Sequence, residues 1–242
     1  MDRHNIYQLI YIIFDRQPKF QAVLYIFLIQ WLLFIPAYLF QTEKFYDLTG
    51  SITYLLAVTY VSIQSYSEAN TNMGNLILAA FIILWAIRLG SFLFIRIHKS
   101  GEDKRFRLIK PSFTRFFMTW TLQGMWVSIC SMCALTAIAS EKGVIQNVFF
   151  YVGVFIFLLG FLIEIIADWQ KTTFRSNPIN KDQFISQGLW SYSRHPNYFG
   201  EITLWLGIAI MSFSSLSNGK CSIYFFHFLF STFILILLVT NL

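Results

Sequence analysis

Four short stretches of this chain hold residues that could do chemistry, and all four lie in or against apolar runs. In FLIEIIADWQKTTFRSNP, Glu164 and Asp168 are four apart, Lys171 is three further on, and Arg175 four beyond that. At 3.6 residues per turn these side chains share one helical stripe, carboxylates first and bases after. The bland account is a ladder of ion pairs along one helix, worth only about tenths of a kcal/mol per pair at a surface. As a site, the stripe offers carboxylates to hydroxyls or amides and bases to phosphate. Two acids ahead of the bases, set against a bilayer-length apolar run, favour the site, because ionisable groups there are expensive.

The second stretch is WSYSRHPNYFGE, residues 190–201. Pro196 reads as a helix start. Asn197 and Glu201 then fall four apart on one face, with Tyr198 and Gly200 beside them. Arg194 and His195 stand just before the helix, and a helix N-terminus with adjacent bases is a ready anion site. A basic anchor for lipid headgroups would account for Arg194 but not for Asn197 and Glu201 on the membrane side. Gly200 could admit a ligand or another backbone, and Gly188 permits a tight turn.

Two further stretches are weaker. In FYDLTGS, residues 45–51, Asp47 with Thr49 and Ser51 could be a helix-start signal. Alternatively, Asp47 is a carboxylic acid at the mouth of a membrane cavity, able to donate a proton when burial raises its pKa. In LWAIRLG, Arg88 lies deep in its run and Arg96 two turns further on. Arg96, near the end, fits a side chain that snorkels to the headgroups. Arg88 either lines a polar interface between helices or faces a site. Cys130 and Cys133 form a C-x-x-C one turn apart within an apolar run, a spacing that reads as helix packing.

The elements that must position these residues are membrane helices. Of 242 residues, 56% are hydrophobic and only 12% charged, half the charge of an ordinary soluble domain. Apolar runs at 20–40, 51–67, 74–97, 113–139, 144–169, 198–217 and 221–241 predict an all-α polytopic transmembrane bundle of about seven spans. They lack the period-two alternation of barrel strands. Residues 1–19 read as an interfacial amphipathic segment and 20–242 as the bundle, together one integral membrane domain of 1–242. No cleavable secretory signal and no C-terminal lipidation or retrieval signal is visible.

The net charge of +6 does not point to nucleic acid, because the bases gather in two loops. Loop 98–112 carries Lys99, Lys104, Arg105, Arg107 and Lys110, and segment 170–197 carries Lys171, Arg175, Lys181 and Arg194. The positive-inside rule puts both loops in the cytosol. No internal repeat suggests a transporter, and the polar clusters gather at one membrane face.

The pattern D-x-x-K-x-x-F-R, then N-P-x-N-K-x-x-F-I-x-x-G-L-W-x-Y-S-R-H-P-N-Y-F-G-E, runs from Asp168 through Glu201. It resembles the steroid 5-alpha-reductase-like membrane proteins, and within them the branch known as domain of unknown function 1295. FYDLTGS, LWAIRLGSFLFIRI and the loop 104–111 also look like that branch. The resemblance implies a steroid-reductase-like fold and NADPH-dependent reduction of a carbon–carbon double bond in a lipophilic small molecule. It implies a cofactor site formed by Asp168, Lys171, Arg175, Asn197 and Glu201, with Glu164, Tyr192, Arg194 and His195 alongside and Tyr198 and Glu201 near the chemistry. Arg88 and Trp85 would lie on the substrate side.

Trp85 stands where steroid reductases carry a tyrosine, which leaves Asp47 as the nearest stand-in for the acid. The Gly-Pro-containing C-terminal segment usual in the family is missing, which predicts an incomplete cofactor lid. The implied partners are the lipophilic substrate and membrane lipid, with no nucleic acid and no metal. The implied location is the endoplasmic reticulum or another endomembrane in a eukaryote, or the inner membrane in a bacterium. An S-adenosylmethionine-dependent membrane methyltransferase of the isoprenylcysteine or phospholipid type shares a related R-H-P-x-Y motif and is the competing enzyme. A non-catalytic membrane protein of the same fold is the third reading. Asn197 and Glu201 favour the reductase.

Overall fold

A computed structural model of the chain describes residues 17–213 and Ser215, apart from Ala69, Lys181 and Asp182. It contains six long helices: α1 (Pro18–Leu39), α2 (Tyr46–Ser67), α3 (Met73–Ser100), α4 (Phe113–Ile138), α5 (Val148–Ser176) and α6 (Pro196–Phe213). Short 3-10 turns at Lys104–Leu108, Pro178–Asn180 and Gly188–Ser191 complete the regular structure, and the described residues include no strand. The interfacial helix expected near the N-terminus, the run at 221–241 and the chain end lie outside the described residues. Pro18 and Lys19, expected to close the interfacial segment, instead open α1.

Four of these helices (α1, α3, α4 and α5) are long and apolar enough to cross a membrane. Of the seven expected spans, six fall on described helices, and four of those six meet that measure of length and composition. α2 and α6 fall short of that measure for a physical reason. α2 carries Asp47, Thr49, Ser51 and Thr53, three of them buried, and α6 is 18 residues long with Asn197 and Glu201 in its first turns. α5 overshoots in the other direction. Its 29 residues span roughly 43 Å at 1.5 Å per residue, more than the hydrocarbon thickness of about 30 Å, so its last turns carry Lys171 and Arg175 clear of the apolar zone.

Local chemistry sets the ends. Pro18 occupies the first turn of α1, and the side chains of Asn72, Ser112 and Asn147 accept from backbone N–H groups in the first turns of α3, α4 and α5. α3 stops at Gly101, whose φ of +82° suits a residue without a Cβ.

At one end of the bundle the buried side chain of Asn75 makes a clasp. Its amide nitrogen donates to Ser65 Oγ at 3.1 Å and to the carbonyls of Asn70 and Ile138, and its oxygen accepts from Val144 N–H at 2.6 Å. The side chain thus ties α2, α3 and α4 to the segment after α4. The opposite end gathers the turn after α1, the 98–112 loop and the 177–195 segment.

The closest helix pairing is α5 against α6. Gly153 and Gly160 on α5 and Gly200 and Gly207 on α6 let the two backbones touch. A Cβ on Gly160 would lie 2.4 Å from Leu204 N and 2.6 Å from Gly200 O, and one on Gly200 would lie 2.6 Å from Glu164 N. Of the two roles expected for Gly200, backbone approach is the one it performs. The core around this pair is apolar and aromatic, with Phe81 stacked on Phe157 at 4.4 Å between ring centroids.

Gly160→Ala is expected to lower the thermal midpoint of the detergent-solubilised protein, with a loss of about 1–3 kcal/mol typical of overpacking. Ala at Gly124, where the new Cβ would meet only side-chain atoms at 3.1 Å or more, is expected to lower it less. Equal midpoints for the two variants would contradict the backbone contact.

Candidate functional site

Arg88 reaches from α3 across to both acids of the α5 stripe. Its Nη1 lies 2.6 Å from Glu164 Oε1 and its Nη2 lies 2.5 Å from Asp168 Oδ2. One turn earlier on α3, the Trp85 indole N–H donates to Glu164 Oε2 at 3.1 Å. Glu164 and Asp168 are 2% and 5% exposed, so their partners replace water almost entirely. Arg88 therefore faces the polar site, and the intrahelical ladder does not form. The acids pair across the bundle, while the Lys171 ammonium sits over the Trp190 ring, 4.6 Å from its centroid.

The Trp190 indole in turn donates to the Ala167 carbonyl at 3.0 Å. Gly188, at φ +60°, turns the chain tightly beneath Gln170, whose side-chain oxygen accepts from Leu189 N–H. These two contacts hold the segment before α6 against the end of α5.

α6 begins at Pro196, as the sequence predicts, and presents Asn197, Glu201 and Trp205 at four-residue spacing. Glu201 comes within electrostatic reach of Glu164, Asp168 and Arg88. Two carboxylates thus pair with the guanidinium and a third lies within electrostatic reach of it. Among the described residues Glu201 has no hydrogen bond or ion pair, and the Asn197 side-chain oxygen is buried without a partner.

Two clefts open at this end. One, of about 590 Å³, is lined by Lys171, Phe174, Arg175, Gln183, Phe184, Ile185, Trp190, Arg194 and His195. The other, of about 490 Å³, is lined by Asp47, Arg96, Lys104, Arg105, Lys171, Arg175 and Tyr198 among others. Lys171 and Arg175 border both. The described residues provide no acid in ion-pair range of Lys171, Arg175 or Arg194, in contrast to Arg105 and Arg107, which pair with Asp103 and Glu102.

His195 lies beside Tyr198, ring centroids 5.6 Å apart. Partial burial and the nearby Lys171 and Arg194 charges push its pKa below the ordinary histidine range. The imidazole is therefore neutral at pH 7 in the ligand-free protein. In the neighbouring loop, burial acts to raise Asp103, but its hydrogen bonds and charge interaction with Arg105 outweigh this and hold its pKa below the usual range.

The remaining expected residues divide. Asp47 sits in the first turn of α2, half-buried in the second cleft and 3.8 Å from Arg96. It does not cap the helix. Phe45 occupies that position, and the Thr49 and Ser51 hydroxyls bond back to carbonyls of their own helix. Arg96 borders the cleft as well as pairing with Asp47, which its assignment to headgroup contact did not anticipate. Tyr192 is 91% exposed and lines neither cleft. Trp85 is buried with its indole N–H committed to Glu164. Cys130 and Cys133 are buried in α4 packing.

Sequence reasoning missed Glu43. It is buried in the turn after α1, forms an ion pair with Lys110 and accepts from Asp103 N–H at 2.9 Å. The available signal was a lone acid between an apolar run and FYDLTGS, opposite in charge to the most basic loop of the chain.

A helical membrane-type bundle with acids bridged in its core and basic clefts at one end is the class that fold and site define. The chain belongs to the family described as "Protein of unknown function (DUF1295)", which matches residues 33–241. It is 30% identical over 122 residues to the "Probable O-methyltransferase ustE" of Ustilaginoidea virens. That alignment covers 44% of this chain and 43% of the relative, so the chain spans less than half the length of the curated protein it matches. No solved structure matches the chain significantly.

Arg88→Met is expected to destabilise the protein by roughly 3 kcal/mol, because it leaves two buried carboxylates without their cation. Adding Glu164→Gln and Asp168→Asn should restore a large part of that loss, read by thermal or denaturant unfolding in detergent. No rescue would mean that Arg88 acts through packing alone.

Proposed function

We propose that the protein is a membrane-embedded reductase that uses NADPH to saturate a carbon–carbon double bond in a lipophilic small molecule. The observation that carries this reading is a set of bases, Lys171, Arg175 and Arg194, that have no acidic partner among the described residues and lie around two clefts at one end of the bundle. NADPH carries a pyrophosphate and a 2′-phosphate, and such a set suits several phosphates better than the phosphate-free methyl donor. The Asn197 oxygen, buried without a partner among the described residues and one turn from the part-buried Glu201, supports the fit, since two acceptors suit the amide N–H₂ of the nicotinamide. Lys171, Arg175, Arg194 and His195 would hold the phosphates, and Asn197 and Glu201 the nicotinamide end. The cofactor supplies hydride chemistry when bound; the chain's residues bind it, orient it and keep water out.

The wider reading follows from the resemblance. The described helices would belong to a bundle of about seven spans, with the basic clefts in the cytosol and the substrate entering from the lipid. The membrane is an endomembrane in a eukaryote or the inner membrane in a bacterium. Under this reading Tyr198 belongs to the cofactor cavity, and Asp47, in the outer cleft, to its polar rim. Tyr192 would join the cavity only through movement of its segment.

Two observations favour a second reading, S-adenosylmethionine-dependent methyl transfer. One is the name of the fungal relative. The other is the surplus of carboxylates around Arg88, which suits a sulfonium cation. Titration of the purified full-length protein with NADPH, NADH and S-adenosylmethionine separates the two. NADPH is expected to bind at least ten-fold more tightly than NADH, which lacks the 2′-phosphate, and Arg175→Ala should weaken it by about ten-fold or more, the scale of a lost charged hydrogen bond. Binding of the methyl donor alone, lost in Asn197→Ala, would replace the reductase with the methyltransferase.

The His195 shift gives a pH test. A bound phosphate raises the imidazole pKa above its depressed free value, so binding takes up a proton. NADPH affinity should therefore rise as pH falls from 8 toward 6.5 and level off once the free imidazole is protonated. Isothermal titration in buffers of different ionisation enthalpy measures that uptake, and His195→Gln should remove it.

A further inference from the structure

The connection between α5 and α6 carries large apolar side chains that the described protein leaves bare. Phe184 is 97% exposed, and Ile179 and Tyr192 are nearly as open. Phe184 borders the cleft of Arg175 and Arg194 yet is covered by none of it. Ile179 and Tyr192 line neither cleft, so a ligand held there would leave them uncovered. Exposed apolar side chains gathered in one segment mark a contact surface.

The height of this segment relative to the bilayer follows from α5. About 20 residues of helix cross the hydrocarbon, and counted from Val148, where α5 begins, they end near Asp168. The next residue, Trp169, is 65% exposed, and an exposed tryptophan at that depth is an interfacial anchor. The connection is tied back to the same level. Trp190 donates to the Ala167 carbonyl, and Leu189 N–H donates to the Gln170 side chain. Phe184 and Tyr192 lie four residues to either side of Gly188, so each stays within roughly 14 Å of it. The headgroup layer, roughly 5–8 Å deep on each face, begins at that level. Charge agrees with this placement. Arg175 and Arg194 are exposed, and no acid lies in ion-pair range of either among the described residues.

We propose that Ile179, Phe184 and Tyr192 seat the connection in the headgroup layer of the membrane that α5 crosses, with Arg175 and Arg194 against anionic lipid. The rings take the boundary between acyl chains and headgroups, where amphipathic segments bury their apolar face. The guanidinium groups meet lipid phosphates, as juxtamembrane bases do. The cleft that Phe184 borders then opens at the lipid surface rather than into bulk cytosol. The inference does not rest on the reductase reading. Where both hold, lipid and nucleotide phosphates compete for the same two guanidinium groups.

The test uses full-length protein without nucleotide, in nanodiscs of phosphatidylcholine alone or with about one third phosphatidylserine. A nitroxide is attached at Phe184→Cys or at Tyr192→Cys, with Cys221→Ser in both, which leaves the buried Cys130 and Cys133 as the other thiols. Depth is read from the access of oxygen and of a nickel chelate to the nitroxide. Oxygen access should exceed chelate access by about three-fold or more at both positions, since a polar chelate is kept out of apolar surroundings. The ratio should rise with anionic lipid, and Arg175→Gln together with Arg194→Gln should remove that rise while leaving the ratio in the neutral bilayer.

Free access of the chelate at both positions would place the segment in water and overturn the proposal. Protection from both reagents would overturn it equally, because protein would then cover the rings, from a second copy or from residues beyond Ser215. Protection of position 184 that appears only on adding NADPH would make Phe184 a wall of the cofactor site, supporting the reductase and removing the lipid contact. Lipid contact at both positions in a protein that binds no nucleotide would keep the membrane seat and remove the reductase.

Discussion

Contact between two bare stretches of helical backbone is the constraint on which the site depends. Gly153 and Gly160 face Gly200 and Gly207, each pair seven residues apart, two turns of helix. With side chains there, α5 and α6 would stand further apart, and the Glu164–Asp168 stripe would no longer meet Asn197 and Glu201. The approach brings three carboxylates into one small volume. Such a volume is tolerable only with a cation in it, and Arg88 arrives from a third helix to fill that need. Packing thus comes first and electrostatics answers it.

The two stripes that meet there are not alike. On α5 both Glu164 oxygens and Asp168 Oδ2 are engaged, by Arg88 or by Trp85. On α6 the Asn197 side-chain oxygen and the Trp205 indole N–H have no partner among the described residues. The bases at the bundle end repeat the contrast: Arg105, Arg107 and Lys110 are occupied by Asp103, Glu102 and Glu43, while Lys171, Arg175 and Arg194 have no acid beside them among the described residues.

Much of this was legible in the sequence because helical periodicity is a strong local signal. The stripe from Glu164 to Arg175 and the start of α6 at Pro196 follow from spacing alone. What spacing cannot give is the partner across the bundle. Arg88 could be read as deep and costly, but its bridge to both acids needs the third dimension. Asp47 fails as a helix cap because the helix starts one residue earlier, at Tyr46, and Thr49 and Ser51 turn to their own backbone. Trp205 was invisible for a different reason: in an aromatic-rich membrane chain, a tryptophan looks like packing until its indole N–H is found without a partner among the described residues.

The Asn75 clasp has a mechanical consequence. Its amide spans α2, α3, α4 and the segment leading to α5, and each of its contacts is already made. Relative movement of α2, α3 and α4 is therefore more tightly constrained at the clasped end than at the basic end, where no comparable side chain joins the three among the described residues.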